Sequence, residues 1–201
     1  MKITISGTIG AGKTTVAKKL AKMLGYEFYS TGHMMRDMAK KNNISLNELS
    51  KIAVEDVSID KEIDNYQKNI GQKHDDFVME GRLGFFFIPD SIKLFLKTSI
   101  ENGARRIYDE KRNDELFKSF GDAKKAVSER EATEAERYEK LYKIDYRNEG
   151  NYDLVIDTSQ LDSDQIIALI ITFLRKMHML TEKENNAIEN NLLGEEKEDE
   201  K

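Results

Sequence analysis

The sequence predicts an α/β protein: a five-stranded parallel sheet in a three-layer α/β/α arrangement, carrying two helical insertions. Three observations predict it. Short apolar runs alternate with amphipathic helical stretches, a glycine-rich loop joins the first run to the first helix, and two charge-dense segments interrupt the alternation without adding strands.

The elements follow in order. Residues 2–6 form the first strand, and residues 14–24 a helix with Val16, Leu20, Met23 and Leu24 on one side. Residues 27–29 are a short second strand, followed by a helix over 32–41. Residues 77–79 are a third strand ending at Glu80-Gly81. A fourth covers 92–96 with a helix over 102–112, and a fifth covers 153–157 with a closing helix over 162–180. Apolar strand cores separated by helices fit a parallel sheet covered on both faces. Residues 44–72 read as helices only, opened by the capping-box pattern Ser45-Leu46-Asn47-Glu48. The segment 113–149 is also helical and strand-free. The expected organisation is therefore one domain over 1–180, with insertions at about 42–74 and 113–149 that are candidates for moving lids. Residues 181–201, rich in Glu, Asn and Lys, are expected to be an acidic tail that is disordered or a frayed helix.

Composition narrows the function classes. At 201 residues, 39% hydrophobic and 34% charged, the chain can build one full core with a well-solvated surface. No apolar run approaches the roughly 18 residues of a membrane span, and no signal-peptide pattern precedes the first strand. The absence of cysteine excludes disulfides and thiolate metal sites, which favours a cytoplasmic setting. A net charge of −5 argues against a general nucleic-acid binder. The expected partners are small molecules, with no nucleic acid and no membrane, and the expected state is a monomer. His33, His74 and His178 have no metal-ligand spacing.

Residues 7–15 read G-T-I-G-A-G-K-T-T directly behind the first strand. This is the G-x-x-x-x-G-K-[ST] phosphate loop in its proper strand–loop–helix context, so the fold expected is that of the P-loop NTPases. Gly7, Gly10 and Gly12 let the backbone aim N–H groups inward, and Thr8, Ile9, Ala11 and Thr15 complete the cradle for ATP phosphates. Lys13 is placed to reach the β- and γ-phosphates. The Thr14 hydroxyl is placed to ligate Mg²⁺, and the following helix offers its N-terminal dipole to the anion.

A phosphate loop serves switches, motors and kinases alike, and the arginines choose among them. Arg130, Glu134 and Arg137 stand at i, i+4 and i+7 on one helix. They are either surface ion pairs or a lid that neutralises charge on a transferring phosphoryl group, with Glu134 holding the guanidinium groups. Arg36, Arg82, and Arg105 with Arg106 follow the second, third and fourth strands, where loops of a doubly wound sheet converge on a ligand crevice. Glu80 is either an ion-pair carboxylate or a group near Mg²⁺.

Together, residues 1–15, Ser30-Thr31-Gly32 with Arg36, Glu80-Gly81-Arg82-Leu83, Arg130 through Tyr138, Ile144-Asp145 and residues 152–159 resemble the archaeal-type cytidylate kinases, a branch of the nucleoside-monophosphate kinases. The resemblance runs to about Leu180. It implies that Gly12, Lys13 and Thr14 hold ATP phosphates and Mg²⁺. It also implies that Thr31, Arg36 and Arg82 contact the monophosphate, that Arg130 and Arg137 reach the transferring group beside Glu134, and that Arg106 faces the same pocket. His33 and Tyr66 depart from the family, which often has Asp and Arg there, and residues 113–123 do not follow its usual lid sequence. The reaction expected is transfer from ATP·Mg²⁺ to CMP or dCMP. The alternatives are an AMP or UMP acceptor, or a nucleotide-dependent assembly or regulatory ATPase.

Overall fold

The computed structural model describes residues 1–110 and 117–198. One parallel sheet holds five strands, β1 (Lys2–Gly7), β2 (Glu27–Ser30), β3 (Phe77–Glu80), β4 (Ile92–Lys97) and β5 (Leu154–Asp157), in the order β2-β3-β1-β4-β5. The central strand β1 pairs with β3 on one side, Ile5 opposite Glu80, and with β4 on the other, Gly7 opposite Leu96. The connection leaving β1 runs to one edge and the connection leaving β4 to the other. A crevice therefore opens over the carboxyl ends of these strands, where such sheets bind ligands.

Helices cover both faces. In chain order they are α1 (Lys13–Leu24), α2 (Thr31–Lys41), α3 (Leu46–Glu55), α4 (Val57–Lys73), the short α5 (Gly84–Phe87), α6 (Ile100–Glu110), α7 (Phe120–Tyr142), α8 (Ser163–Lys176) and α9 (Glu182–Glu198). Ile3 and Ile5 of β1, Leu94 and Leu96 of β4, Leu20 of α1, and Ile170 and Leu174 of α8 are wholly buried in one cluster. At roughly 1.5–3 kcal/mol per buried aliphatic side chain, this cluster fixes the sheet that carries the site. The insertion over 44–72 consists of α3 and α4, and the Ser45–Glu48 capping box forms as its sequence predicts. Within the expected lid, α7 is one long helix with Ser119 as its N-cap. Residues 111–116, the end of the helix expected over 102–112 and the start of that insertion, lie outside the described residues.

Of the two forms expected for the tail, the described residues take the helical one. Residues 182–198 are helical, and Ile188 of α9 is 1% exposed within the main core cluster. The helix starts because Thr181 and Glu184 cap it reciprocally: the Glu184 carboxylate accepts from the Thr181 N–H, and the Thr181 hydroxyl accepts from the Glu184 N–H. Glu184 also accepts a hydrogen bond from the Tyr26 hydroxyl, and Asn191 donates to the Met23 carbonyl at the end of α1. Charge density concealed one buried anchor and one cap. Ile188→Ala is expected to destabilise the fold by about 2–4 kcal/mol, read from the midpoint of urea unfolding.

Candidate active site

The phosphate loop is shaped by close backbone packing. Gly10 has φ 74°, and a Cβ there would lie 2.4 Å from the Gly103 Cα on α6; a Cβ on Gly103 would lie 2.2 Å from the Ile9 carbonyl oxygen. Two glycines facing each other are what let the loop lie down on α6. Gly12, at φ 82°, turns the chain into α1. Helices α3, α4, α7 and α8 each have a side chain bonded to their first N–H groups, whereas α1 has no side-chain cap and no acidic residue in its first turn. Its N–H groups and dipole are thus left for an outside anion.

Lys13 is buried, and its ammonium donates to the carbonyls of Thr8 (2.6 Å) and Gly7 (3.1 Å). Burial, and then the neighbouring Arg82, hold its pKa well below the ordinary lysine value. An arriving polyphosphate would relieve both penalties at once. Beside it the Thr14 hydroxyl donates to Glu80 Oε1 at 3.3 Å, and the Ser30 hydroxyl donates to the same oxygen. Hard oxygens from a hydroxyl and a carboxylate next to a phosphate cradle suit Mg²⁺, which keeps most of its waters and takes one or two protein oxygens plus phosphate.

The arginines come from separate elements and gather. Arg82, just after β3, donates from Nε to Glu134 Oε2 at 2.7 Å and from Nη1 to the Gly7 carbonyl at 3.0 Å. Arg130 donates from Nε to the other Glu134 oxygen at 2.9 Å. Burial raises the Glu134 pKa, but Arg82 and then Arg130 outweigh it and bring the carboxyl down to about 2. Burial likewise opposes the charge of Arg82, and Glu134 outweighs it, so that guanidinium stays charged. Arg36 lines the phosphate-loop cleft and lies near Gly32 of α2. Arg106 lines the same cleft and bonds to the Gly10 carbonyl (3.3 Å) and to Thr158 after β5, so it also braces the loop. Arg105 instead stacks on Phe120, with its guanidinium 4.1 Å from the ring centre.

Arg137 departs from the sequence expectation. Its side chain is 2% exposed and lines neither cleft. It turns toward Asp60 of α4, with Nε 3.5 Å from Oδ2, and toward the Ser50 carbonyl of α3. Seven residues turn the helix through nearly two full turns, so Arg137 keeps roughly the face of Arg130 but lies about 10 Å farther along α7, where the helix packs against α3 and α4.

Two clefts result. One, of about 700 Å³, is bounded by the phosphate loop, Lys13, Thr14, Arg36 and Arg106. The other, of about 540 Å³, lies between α2, α4 and α7 and is bounded by Thr31, Asp60, Asp64, Gln67 and Tyr138. Both are bounded by Gly32, Glu80, Arg82 and Arg130, so they meet where the guanidinium groups gather.

Residues 2–160 match the family described as cytidylate kinase-like. The chain belongs to that family. It is 36% identical over 175 residues to a cytidylate kinase of Methanobrevibacter smithii, covering 87% of this chain and 99% of that one. It is also 34% identical over 181 residues to an S-adenosylmethionine-dependent nucleotide dehydratase of Lacinutrix mariniflava, covering 90% of this chain but 37% of that longer protein. Among solved structures, a shikimate kinase of Bacteroides thetaiotaomicron superimposes with a TM-score of 0.61 at 17% identity, covering 89% of this chain and 98% of that one, which shows the shared fold.

Three cleft-lining residues belong to none of the motifs. Asp60, Asp64 and Gln67 are buried and line the second cleft. Their signal was present: three polar side chains at i, i+4 and i+7 flank Ile63 on the face of α4 that packs inward. Glu134 of α7, 5% exposed, holds two arginines together. Glu134→Gln is expected to cost about 3 kcal/mol of stability, because two guanidinium groups lose their buried partner. Its carboxyl is depressed in the folded state, so its contribution is complete above the ordinary carboxylate pKa and is lost as pH falls toward about 2. Acid unfolding curves of wild type and Glu134→Gln should therefore converge at low pH.

Proposed function

We propose that the chain is an ATP-dependent cytidylate kinase, transferring the γ-phosphoryl group of ATP to CMP or dCMP to give CDP or dCDP. The observation that carries this reading is the meeting of two clefts at Arg82 and Arg130, one built on the phosphate loop and one on the helical insertion. A hydrolase needs one nucleotide cleft, whereas a transferase between two nucleotides needs two with a cationic junction.

The acceptor phosphate needs no general base at neutral pH, since it is already largely ionised. One of its oxygens attacks the γ-phosphorus as the bond to the β-phosphate bridging oxygen breaks, and ADP takes the electron pair. The protein's task is to hold two anions close, in line and dry. Lys13 and the open N-terminus of α1 hold the donor phosphates, and Thr31, Arg36 and Arg82 hold the acceptor phosphate. Arg130 spans the junction, where negative charge spreads over the equatorial oxygens. Thr14 and Glu80 would hold Mg²⁺, whose charge neutralises the β- and γ-oxygens. Glu134 fixes Arg82 and Arg130 so that neither has to reorganise during transfer. Arg137 contributes by tying α7 to the insertion through Asp60, which couples lid and acceptor site. The insertion at about 42–74 acts as the monophosphate-binding part and α7 as the lid core, closing to exclude water that would hydrolyse ATP. Both clefts lie within one chain, so a monomer suffices.

The test is ADP release from ATP·Mg²⁺ with CMP, dCMP, UMP, AMP and GMP in turn. CMP or dCMP should stimulate it strongly over the acceptor-free rate. Equal rates with and without every monophosphate would refute the reading.

A further inference from the structure

One wall of the second cleft is made by Asp60, Asp64 and Gln67 of α4, and its chemistry is unusual. Asp60 and Gln67 are 3% and 2% exposed; Asp60 Oδ2 faces Arg137 Nε at 3.5 Å without a hydrogen bond, and Gln67 Oε1 has no hydrogen-bond partner. Asp64, between them on α4, is 9% exposed and uses one oxygen, Oδ2, to accept from the Tyr142 hydroxyl at 2.9 Å. A buried polar group without a hydrogen bond costs free energy, which a ligand that completes it would recover. Burial pushes both carboxyls up, that of Asp60 to about 6 despite Arg137, so these acids sit in a dry environment where a hydrogen bond discriminates strongly.

We propose that Asp60, Asp64 and Gln67 read the Watson–Crick edge of the acceptor base and make the enzyme select cytosine over uracil. The proposal rests on the reading of this site as a CMP-phosphorylating one and supplies its specificity. Cytosine presents an exocyclic 4-amino group that only donates, beside N3 and O2, which accept. Carboxylates accept and cannot donate, so the aspartates match the 4-amino protons. The amide of Gln67 carries a donor and an acceptor in one plane and can turn either toward the base, giving N3 or O2 its donor. Uracil reverses the first two positions: its O4 would face a carboxylate with no proton between them, and its N3–H would meet the amide donor. A site built from buried polar groups rejects an analogue that leaves them unpaired far more strongly than an apolar pocket can. Spacing supports the assignment, since i, i+4 and i+7 put the three groups in a row along one face of α4, able to follow the edge of a flat ring.

The experiment compares kcat/KM for CMP, UMP and the 5′-monophosphate of pyrimidin-2-one riboside, which is CMP with its 4-amino group replaced by hydrogen. Wild type should use that analogue at least about tenfold less well than CMP. In Asp60→Asn and Asp64→Asn the ratio of kcat/KM for CMP over UMP should fall at least about tenfold, with KM for ATP within about threefold of wild type. An analogue used as well as CMP would overturn the proposal. So would variants that lose activity on CMP and UMP in equal proportion, since that is what a merely structural role predicts. The analogue measurement needs no variant and decides the matter if a substitution prevents folding. Wild type that ignores CMP altogether would instead refute the functional reading itself, and this proposal with it.

Discussion

Arg130→Ala is expected to lower kcat about 10³-fold while KM for CMP changes only a few-fold. Arg130 lines both clefts and is held by Glu134 at 2.9 Å, at the junction of the proposed donor and acceptor sites. Charge at that junction grows only as the phosphoryl group moves, so the interaction is made chiefly in the transition state. Arg130→Lys should recover little, because an ammonium cannot grip a carboxylate and phosphate oxygens with one planar fork. A kcat within about threefold of wild type in steady-state assays would remove Arg130 from the reaction.

Lys13→Met should separate stability from activity. The ammonium is desolvated and is satisfied by two carbonyls of its own loop, with Arg82 disfavouring its charge. Exchanging a buried charge for an apolar chain of similar length is often neutral or stabilising, here by about 1 kcal/mol in the absence of nucleotide. Transfer, by contrast, should fall by about 10³-fold or more, because the γ-phosphate loses the cation that shields it from the acceptor. Melting curves without ligand and turnover with saturating ATP and CMP would together show whether a higher Tm accompanies the lost activity. A variant that is both less stable and still active would contradict the role given to Lys13.

The sheet was legible because its strands are short apolar runs between helices whose caps are written in local sequence. Only local signals were needed for Ser45–Glu48 or for the phosphate loop. Glu80, Arg82 and Arg36 line one cleft because a doubly wound sheet dictates where loops after strands point. What failed was what depends on tertiary packing. Arg137 shares a helix with Arg130, but the packing of α3 and α4 on α7 decides which of them faces the loop. Ile188 is one apolar residue in a charged tail, and only the groove beside α1 gives it somewhere to go. Asp60, Asp64 and Gln67 belong to no motif, and only the packing of the insertion buries that face of α4. Gly103 carries no motif, and its purpose emerges only when Ile9 and Gly10 are found against it.

The most direct test of two nucleotides meeting at one cationic junction is inhibition by adenosine and cytidine joined 5′ to 5′ through five phosphates. A single such molecule should occupy both clefts, compete with ATP and with CMP alike, and bind far more tightly than either. Competition with ATP alone, at an affinity no better than that of ATP, would mean that the second cleft does not hold an acceptor nucleotide beside the first.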